Sequence, residues 1–376
     1  MEGGIGLQYR ECGKTGIKLS ALGFGAMRLP MKGNDVDEEK SIAAFLRAYE
    51  LGVNYYDTAP YYCNSQSEVV LGKFLKMIDR EKVYISTKNP IEDNTAKGWR
   101  ERLERSLKRL DVEYIDFYQA IWGANWATYS EKFAIPGGGL EAALKAKEEG
   151  LIRHICCSFH DSVENLIKLI DTGIFEAITL QYNILDRSNE KGIAYAKEKG
   201  VGIIVMGPVG GGRLVGPSEF ITKKLIGGAK STVEAALRFV LSNPGVTVAL
   251  SGMNSVEQVE ENAEIASRTE PLSEEERERI ERIFEETKRL ADLYCTGCGY
   301  CMPCPNGIDI PGNFRAMNYY RVWGLIELAR SEYRRLGEKN AWAEACLECG
   351  ECEPKCPQKI PIIKQLKETA ATLGGN

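Results

Sequence analysis

The densest chemistry in the sequence lies in its cysteines. Eight of the 12 fall between Cys295 and Cys356, in two tight runs. The second run reads Cys346-x₂-Cys349-x₂-Cys352-x₃-Cys356-Pro357, the ligand spacing of a bacterial-type [4Fe–4S] centre. The first run, Cys295-x₂-Cys298-x₂-Cys301-x₂-Cys304-Pro305, is one residue shorter before its last cysteine. Three cysteines at two-residue gaps wrap one face of a cubane, and the fourth, next to proline, points away toward the other cluster. The spacing therefore predicts one cluster on Cys295, Cys298, Cys301 and Cys356, and a second on Cys346, Cys349, Cys352 and Cys304. Zinc sites favour paired C-x₂-C units over such triplets.

A second constellation lies in the first quarter of the chain. Asp57-Thr58-Ala59-Pro60-Tyr61-Tyr62 closes one β-type run, and Lys88 closes the next in Ser86-Thr87-Lys88. A lysine ammonium beside a tyrosine favours the phenolate and is expected to lower the Tyr62 pKa, while a carboxylate beside the lysine keeps it charged. Such a trio makes a general acid able to protonate a carbonyl oxygen.

These residues need elements that bring them to one face. From about Leu7 to Ser267 short β-type runs alternate with helical patterns. Leu7–Cys12 and Ile17–Ser20 flank Gly13-Lys14-Thr15-Gly16 and read as a hairpin. Eight strand candidates follow: Ala21–Gly25, Val53–Tyr56, Val83–Lys88, Tyr114–Ile121, Ile152–Ser158, Ala177–Asn183, Gly202–Pro208 and Val246–Gly252. Between the first two, Ile42, Phe45, Leu46 and Tyr49 repeat at helical spacing and predict one apolar face. Ser231 with Glu234, Ser255 with Gln258 and Ser273 with Glu276 fit helix-opening capping boxes. Because each parallel strand needs a crossover, the alternation predicts an α/β fold, a (β/α)₈ TIM barrel with an N-terminal hairpin. An open doubly wound sheet is the structural rival. Longer segments follow the fourth and seventh strands: Trp122–Gly139, with Trp122, Trp126, Tyr129 and Phe133, and Val209–Ser231, which opens Gly210-Gly211-Gly212-Arg213. The aromatics fit either loop packing or substrate contact. The charged helix Ser273–Leu293 leads into the cysteine region, where a helical stretch over about Pro311–Ala345 separates the two runs. The domains are set at residues 1–291 for the barrel and 292–376 for a small, mostly helical iron–sulfur domain.

Composition narrows the function classes. The chain has 376 residues, 44% hydrophobic and 27% charged, as expected of a globular enzyme. Lys+Arg 48 against Asp+Glu 53 gives a net charge of −5, which carries no electrostatic footprint for nucleic acid. No apolar run approaches a membrane span, and Met1-Glu2-Gly3-Gly4 lacks the basic and apolar regions of a signal peptide. A cytoplasmic protein is expected. The scattered Cys12, Cys63, Cys156 and Cys157 are expected to be packed small hydrophobes.

Nearly the whole chain resembles the aldo-keto reductases, in the bacterial and archaeal branch carrying a C-terminal ferredoxin-like domain. The resemblance runs through Leu22-Gly23-Phe24-Gly25-Ala26-Met27-Arg28-Leu29-Pro30, Asp57–Tyr62, Lys88, Tyr114-Ile115-Asp116-Phe117-Tyr118, Gln181-Tyr182-Asn183, Leu250-Ser251-Gly252-Met253 and both cysteine runs. It implies that Tyr62, Lys88 and Asp57 are catalytic, with hydride passing from a nicotinamide to a carbonyl and Tyr62 supplying the proton. It also implies NAD(H) or NADP(H) as cofactor beside two [4Fe–4S] clusters. The family's histidine falls at Ile121. The Ser-Asn pair and the Gln that hold the carboxamide fall at Ser158-Phe159 and Thr179. The basic pair for a 2′-phosphate falls at Gly252 and Gln258, with Arg213 as a substitute cation, and Glu261 and Asn262 match the adenine-side pattern. His154 and His160 are expected to be structural. Three functions are carried forward: an NADH-preferring oxidoreductase acting on a carbonyl or alcohol, a lyase or isomerase using Tyr62, Lys88 and Asp57 without nicotinamide, and a non-catalytic or electron-transfer scaffold. The expected partners are a small-molecule substrate and an electron-transfer protein, with neither nucleic acid nor membrane.

Overall fold

Eight short apolar runs become the eight parallel strands of a closed barrel. The computed structural model describes residues 6–268, 272–294, 299, 301–356 and 360–374. A first antiparallel hairpin joins β1 (Tyr9–Glu11) to β2 (Lys18–Ser20), with Tyr9 opposite Ser20. The barrel begins at β3 (Leu22–Gly25). A second small hairpin, β4 (Met31–Lys32) with β5 (Asp35–Val36), interrupts the path to the next barrel strand. The barrel then runs through β6 (Tyr55–Asp57), β7 (Tyr84–Pro90), β8 (Ile115–Ala124), β9 (Ile152–Phe159), β10 (Ala177–Gln181), β11 (Gly202–Met206) and β12 (Val248–Ser251). β12 closes the ring on β3, with Ala249 opposite Leu22. Each expected strand is present within a few residues. Strands buried on both faces read as continuous apolar runs, the strongest signal a parallel barrel leaves in sequence.

The hairpin plugs one end of the barrel. Cys12 and Leu19 join Tyr55, Phe117, Cys156, Ala177, Ile204, Val248 and Leu250 in one buried cluster. Its turn needs glycine at position 13: φ is +52°, and a Cβ there would lie 2.4 Å from the Gly200 carbonyl oxygen. Lys14 N–H donates to that same oxygen at 2.8 Å. At this end Glu176 accepts from His154 Nδ1 at 2.8 Å and pairs with Lys147. Burial pushes the Glu176 carboxyl up, but the His154 and Lys147 hydrogen bonds outweigh it and hold its pKa down at about 2. A carboxylate depressed in this way stabilises the fold above its unfolded value, and that contribution is lost as pH falls through 4.5 toward 2. Glu176→Gln is thus expected to lower the urea midpoint of the barrel at pH 7, with the deficit shrinking as pH falls to 4. A deficit that is constant with pH would assign the loss to packing instead.

The helix Glu38–Glu50 differs from its expected face. Its N-terminus is capped by Asp37, which accepts from Lys40 N–H at 3.3 Å. The buried residues are Ser41, Ala44, Phe45 and Ala48, while Ile42, Leu46 and Tyr49 flank them half-buried. Phe45 packs on Phe24 and Tyr56 of the barrel strands, with Ala44 and Ala48 buried beside it. All three serines cap their helices: Ser231 Oγ accepts from Glu234 N–H at 3.0 Å, Ser255 Oγ from Gln258 N–H at 3.3 Å, and Ser273 Oγ from Glu276 N–H at 3.1 Å. The reciprocal bond of a capping box runs from Ser273 N–H to Glu276, whereas Glu234 and Gln258 accept from Lys230 and Asn254 N–H, one residue earlier.

The chain divides into two compact units. One is Met1–Gly211 with Ala236–Pro271, and the other is Gly212–Ala235 with Leu272–Asn376. In the second, the helix Glu274–Tyr294 is followed by Ile310–Arg321 and Ile326–Glu338, separated at Gly324, whose φ of +61° breaks the helical stretch. A short turn at Ala343–Ala345 and the helix Ile362–Leu373 complete it. Among the described residues no helix is long and apolar enough to cross a membrane.

Candidate active site

The catalytic-type residues meet at the carboxyl ends of β6, β7 and β8, the face on which barrel enzymes build their sites. Asp57 is the last residue of β6, and its Oδ1 accepts from Lys88 Nζ at 2.5 Å. The ammonium donates again to the Thr58 carbonyl at 2.7 Å. Both side chains are 3% exposed, so this is a dry ion pair whose charges depend on each other. Tyr62 stands in the turn after β6, with Lys88 Nζ 4.7 Å from its ring centroid. Its ring is half-buried and meets Trp122 edge-on at 5.8 Å. The turn is held from several sides. Ser67 Oγ donates to the Ala26 carbonyl at 2.7 Å, and Asn64 Nδ2 to the Asn34 carbonyl at 2.9 Å. Cys63, Asn64 and Ser65 all have positive φ, at 51°, 55° and 65°, a strained path for non-glycine residues of the kind that clusters at functional sites.

The electrostatics correct one expectation. Burial pushes the Tyr62 hydroxyl up, and although the Lys88 charge and hydrogen bond pull it down, the net pKa is raised above 10.0. Lys88 is also raised: burial would lower it, but Asp57 and Tyr62 outweigh that cost. Tyr62 is therefore a protonated acid beside a charged ammonium, not a phenolate. Burial wins because desolvation of the phenolate outweighs the attraction of Lys88, and the sequence shows these neighbours but not the depth at which they sit.

The other expected contacts are distributed around the same end of the barrel. Ser158 is buried at the end of β9, one residue before the equally buried Phe159. Thr179 is buried on β10, and Gln181, two residues on and on the same strand face, is half-exposed at the strand end. Gly252 follows β12 directly, and Asn262 Nδ2 donates to Ser251 Oγ at 3.1 Å. Gln258 is engaged locally, its Oε1 accepting from Asn254 N–H at 3.0 Å, and Glu261 is exposed. Arg213 belongs to the other compact unit, where Nη1 donates to Tyr319 Oη at 3.0 Å. A cation that the residue reading passed over is Arg28. It is exposed, and a Cβ at Gly252 would lie 4.0 Å from its Cβ, while one at Gly211 would lie 3.6 Å from its Nη2. The motif Leu22–Pro30 contained it, but only the barrel closure places it beside β12.

Residues 21–285 match the Aldo/keto reductase family, well over half of the chain. The chain belongs to that family. L-galactose dehydrogenase of Arabidopsis thaliana is 30% identical over 311 residues, covering 76% of this chain and 96% of that protein. NADH-specific methylglyoxal reductase of Escherichia coli (strain K12) is 30% identical over 243 residues, covering 58% of this chain and 72% of that protein. Among solved structures, aldo-keto reductase AKR11C1 from Bacillus halodurans in its holo form matches with a TM-score of 0.64 at 29% identity, covering 74% of this chain and 96% of that one. Against this family background Ile121 stands out. It is fully buried on β8, opposite Cys157, and offers no hydrogen bond. Trp122, the next residue, packs its indole on Tyr61 and Tyr62 instead. Trp126, Tyr129 and Phe133 follow the packing alternative, with Tyr129 against Phe133 and Phe175. Cys12, Cys156 and Cys157 are buried as expected, whereas Cys63 is half-buried and directs its thiol to the Met27 carbonyl at 3.4 Å. The structural histidines are engaged, His154 on Glu176 and His160 Nδ1 with the Ser158 carbonyl at 3.2 Å.

Residues 294–360 match the 4Fe-4S dicluster domain, so this family member carries an iron–sulfur domain. Cys295 and Cys298 lie outside the described residues. Cys304, Cys346, Cys349 and Cys352 line one cavity of about 180 Å³, joined by Cys301 and by Pro305, Ile308 and Leu366. Cys356 is not among its lining residues. Among the described residues no three His, Cys, Asp or Glu side chains converge as the ligands of a single ion do. Thiolates spread around a cavity suit a cubane, whereas tetrahedral zinc draws its sulfurs to about 2.3 Å from one point. The donor chemistry and the space thus fit an iron–sulfur cluster.

Proposed function

We propose that the barrel is an NADH-preferring oxidoreductase that reduces a carbonyl, or oxidises the corresponding alcohol, with Tyr62 as general acid. The observation that carries this is the Asp57–Lys88–Tyr62 arrangement: a half-exposed tyrosine kept protonated, backed by a buried ion pair, at the mouth of the barrel. A bound dihydronicotinamide would supply the hydride, and Ser158, Gly252, Gln258, Glu261 and Asn262 are the barrel residues proposed to hold it. As the carbonyl oxygen gains charge, Tyr62 Oη gives up its proton, and the resulting phenolate lies beside the Lys88 ammonium. Asp57 keeps that ammonium charged throughout. With Ile121 in place of a second donor, polarisation of the carbonyl rests on Tyr62, which favours intrinsically electrophilic aldehydes. The relative named an NADH-specific methylglyoxal reductase supports both the cofactor and the substrate class. In residues 292–376 we propose two [4Fe–4S] clusters on the crossed cysteine sets. Hydride transfer moves two electrons and a cubane moves one, so the clusters serve either to hold their own unit or to exchange electrons with a protein partner.

The cofactor test follows from Gly252 and Gln258, neither of which is a cation. A lost charged contact to a 2′-phosphate is worth about 1.5–3 kcal/mol, on the order of tenfold or more in affinity. NADH is expected to quench or shift in fluorescence on titration with the anaerobic protein, binding at least as tightly as NADPH. Tighter NADPH binding would overturn the preference and place Arg28 on the phosphate. If neither dinucleotide binds a protein with intact clusters, the nicotinamide reading fails and proton transfer by Tyr62 and Lys88 alone becomes the better account.

A further inference from the structure

A buried amide at the site belongs to a residue that no step above uses. Gln119, on β8 opposite Lys88, is 1% exposed. Its Nε2 donates to Asp57 Oδ2 at 2.7 Å and to Ser86 Oγ at 2.9 Å. The orientation of the amide is fixed by chemistry, because the opposite flip would set its oxygen against a carboxylate. Its Oε1 then has no hydrogen-bond partner among the described residues. Burying an amide with an unpaired oxygen is unfavourable, and an apolar side chain on this strand would avoid it. A sequence that keeps such a group has a use for its N–H groups.

We propose that Gln119 is a positioning residue: it holds one oxygen of Asp57 so that the other is committed to Lys88, and thereby sets the charge that Lys88 presents to Tyr62. The inference rests on the reading of Tyr62, Lys88 and Asp57 as the catalytic set. Lys88 takes Oδ1 and Gln119 takes Oδ2, so the carboxylate is gripped from two strands and cannot rotate away. The titratable groups facing this grip are Lys88, Tyr62 and Tyr55, together with Cys156, which lies across from Gln119 on β9. Tyr55 and Cys156 stay neutral because burial pushes both well up. Without the amide, Oδ2 is no longer held, Oδ1 is no longer committed to Lys88, and the buried ammonium loses the partner that keeps it charged against burial, weakening its pull on Tyr62.

Two substitutions and two readouts test this. Gln119→Leu is expected to lower kcat for aldehyde reduction about 10–100-fold with KM unchanged, the size of effect expected when an acid–base group is mispositioned. It should also raise the ionisation midpoint of Tyr62 by about half a unit to one unit, read as the tyrosinate difference between each protein and its Tyr62→Phe derivative. Gln119→Glu places a second carboxyl on Asp57 Oδ2. Protonated, it donates as the amide does, so activity should recover near pH 6 and fall as the pH rises. Unchanged kcat and an unchanged Tyr62 midpoint in Gln119→Leu would overturn the proposal. If that variant does not fold, a parental pH profile in Gln119→Glu would overturn it equally. Should the parent protein reduce no aldehyde, the oxidoreductase reading falls, while the Tyr62 midpoint still decides the role of Gln119.

Discussion

Tyr62→Phe is expected to lower aldehyde reduction by about 10²–10⁴, the contribution of a positioned general acid, while leaving NADH affinity and iron content unchanged. The substitution removes one oxygen from a half-exposed ring, so the edge-on contact with Trp122 and the buried pair of Asp57 with Lys88 are retained. The pH profile supplies an independent check. Because burial raises Tyr62 above 10.0 despite the Lys88 charge, reduction should be flat through neutral pH and fall only as the pH rises through that elevated value. Alcohol oxidation needs the phenolate and should rise with pH over the same range. Turnover that survives in Tyr62→Phe would disqualify Tyr62 as the acid. A reduction rate that falls between pH 6 and 8 would transfer the role to another group.

The distance between what the sequence discloses and what it hides is clearest at β8. That strand and its seven partners were legible because each is an apolar run set between helical periodicities. Asp57, Tyr62 and Lys88 were legible because strand ends on a barrel share one face. Gln119, and the place of Trp122 on β8 rather than in the segment after it, were hidden for other reasons. The pairing of β7 with β8 shifts register between Lys88 and Pro90, and that of β8 with β9 shifts between Gln119 and Ile121. A strict two-residue alternation fails across such a bulge, so the facing of Trp122 could not be counted out along β8, whereas Gln119, in regular register opposite Lys88, was hidden because the sequence does not state which residues of neighbouring strands pair. The protonation of Tyr62 was hidden as well, since it depends on burial competing with a charge, and only the former requires coordinates. The same holds for the helix Glu38–Glu50, where of the bulky residues at helical spacing only Phe45 is fully buried, beside Ala44 and Ala48.

Iron stoichiometry should divide the cysteines into two crossed groups. Anaerobic protein is expected to be brown and to carry about eight iron and eight labile sulfide per chain, with visible absorption that bleaches on reduction. Removing one ligand from either set should cost about half of that iron. Single substitutions do not reveal which cysteines share a cluster, but pairs do. Cys304, with its neighbour in sequence Cys301, lines the cavity with Cys346, Cys349 and Cys352, although some forty residues of chain and two helices intervene, whereas Cys356, four residues past Cys352, does not line it. The double variant Cys304→Ser/Cys346→Ser should therefore lose a single cluster and keep about four iron, because both thiolates serve the same cubane. Cys346→Ser/Cys356→Ser should lose both clusters and keep almost none, despite lying within one sequence run. The reverse ranking would show that each run closes on its own cluster and that the proline-flanked cysteines do not cross. One zinc per chain without sulfide would remove the iron–sulfur assignment altogether. The distinction has a mechanical consequence: crossed ligands tie the segment around Cys304 to the segment around Cys346, so loss of a cluster should loosen the helices Ile310–Arg321 and Ile326–Glu338 that join them.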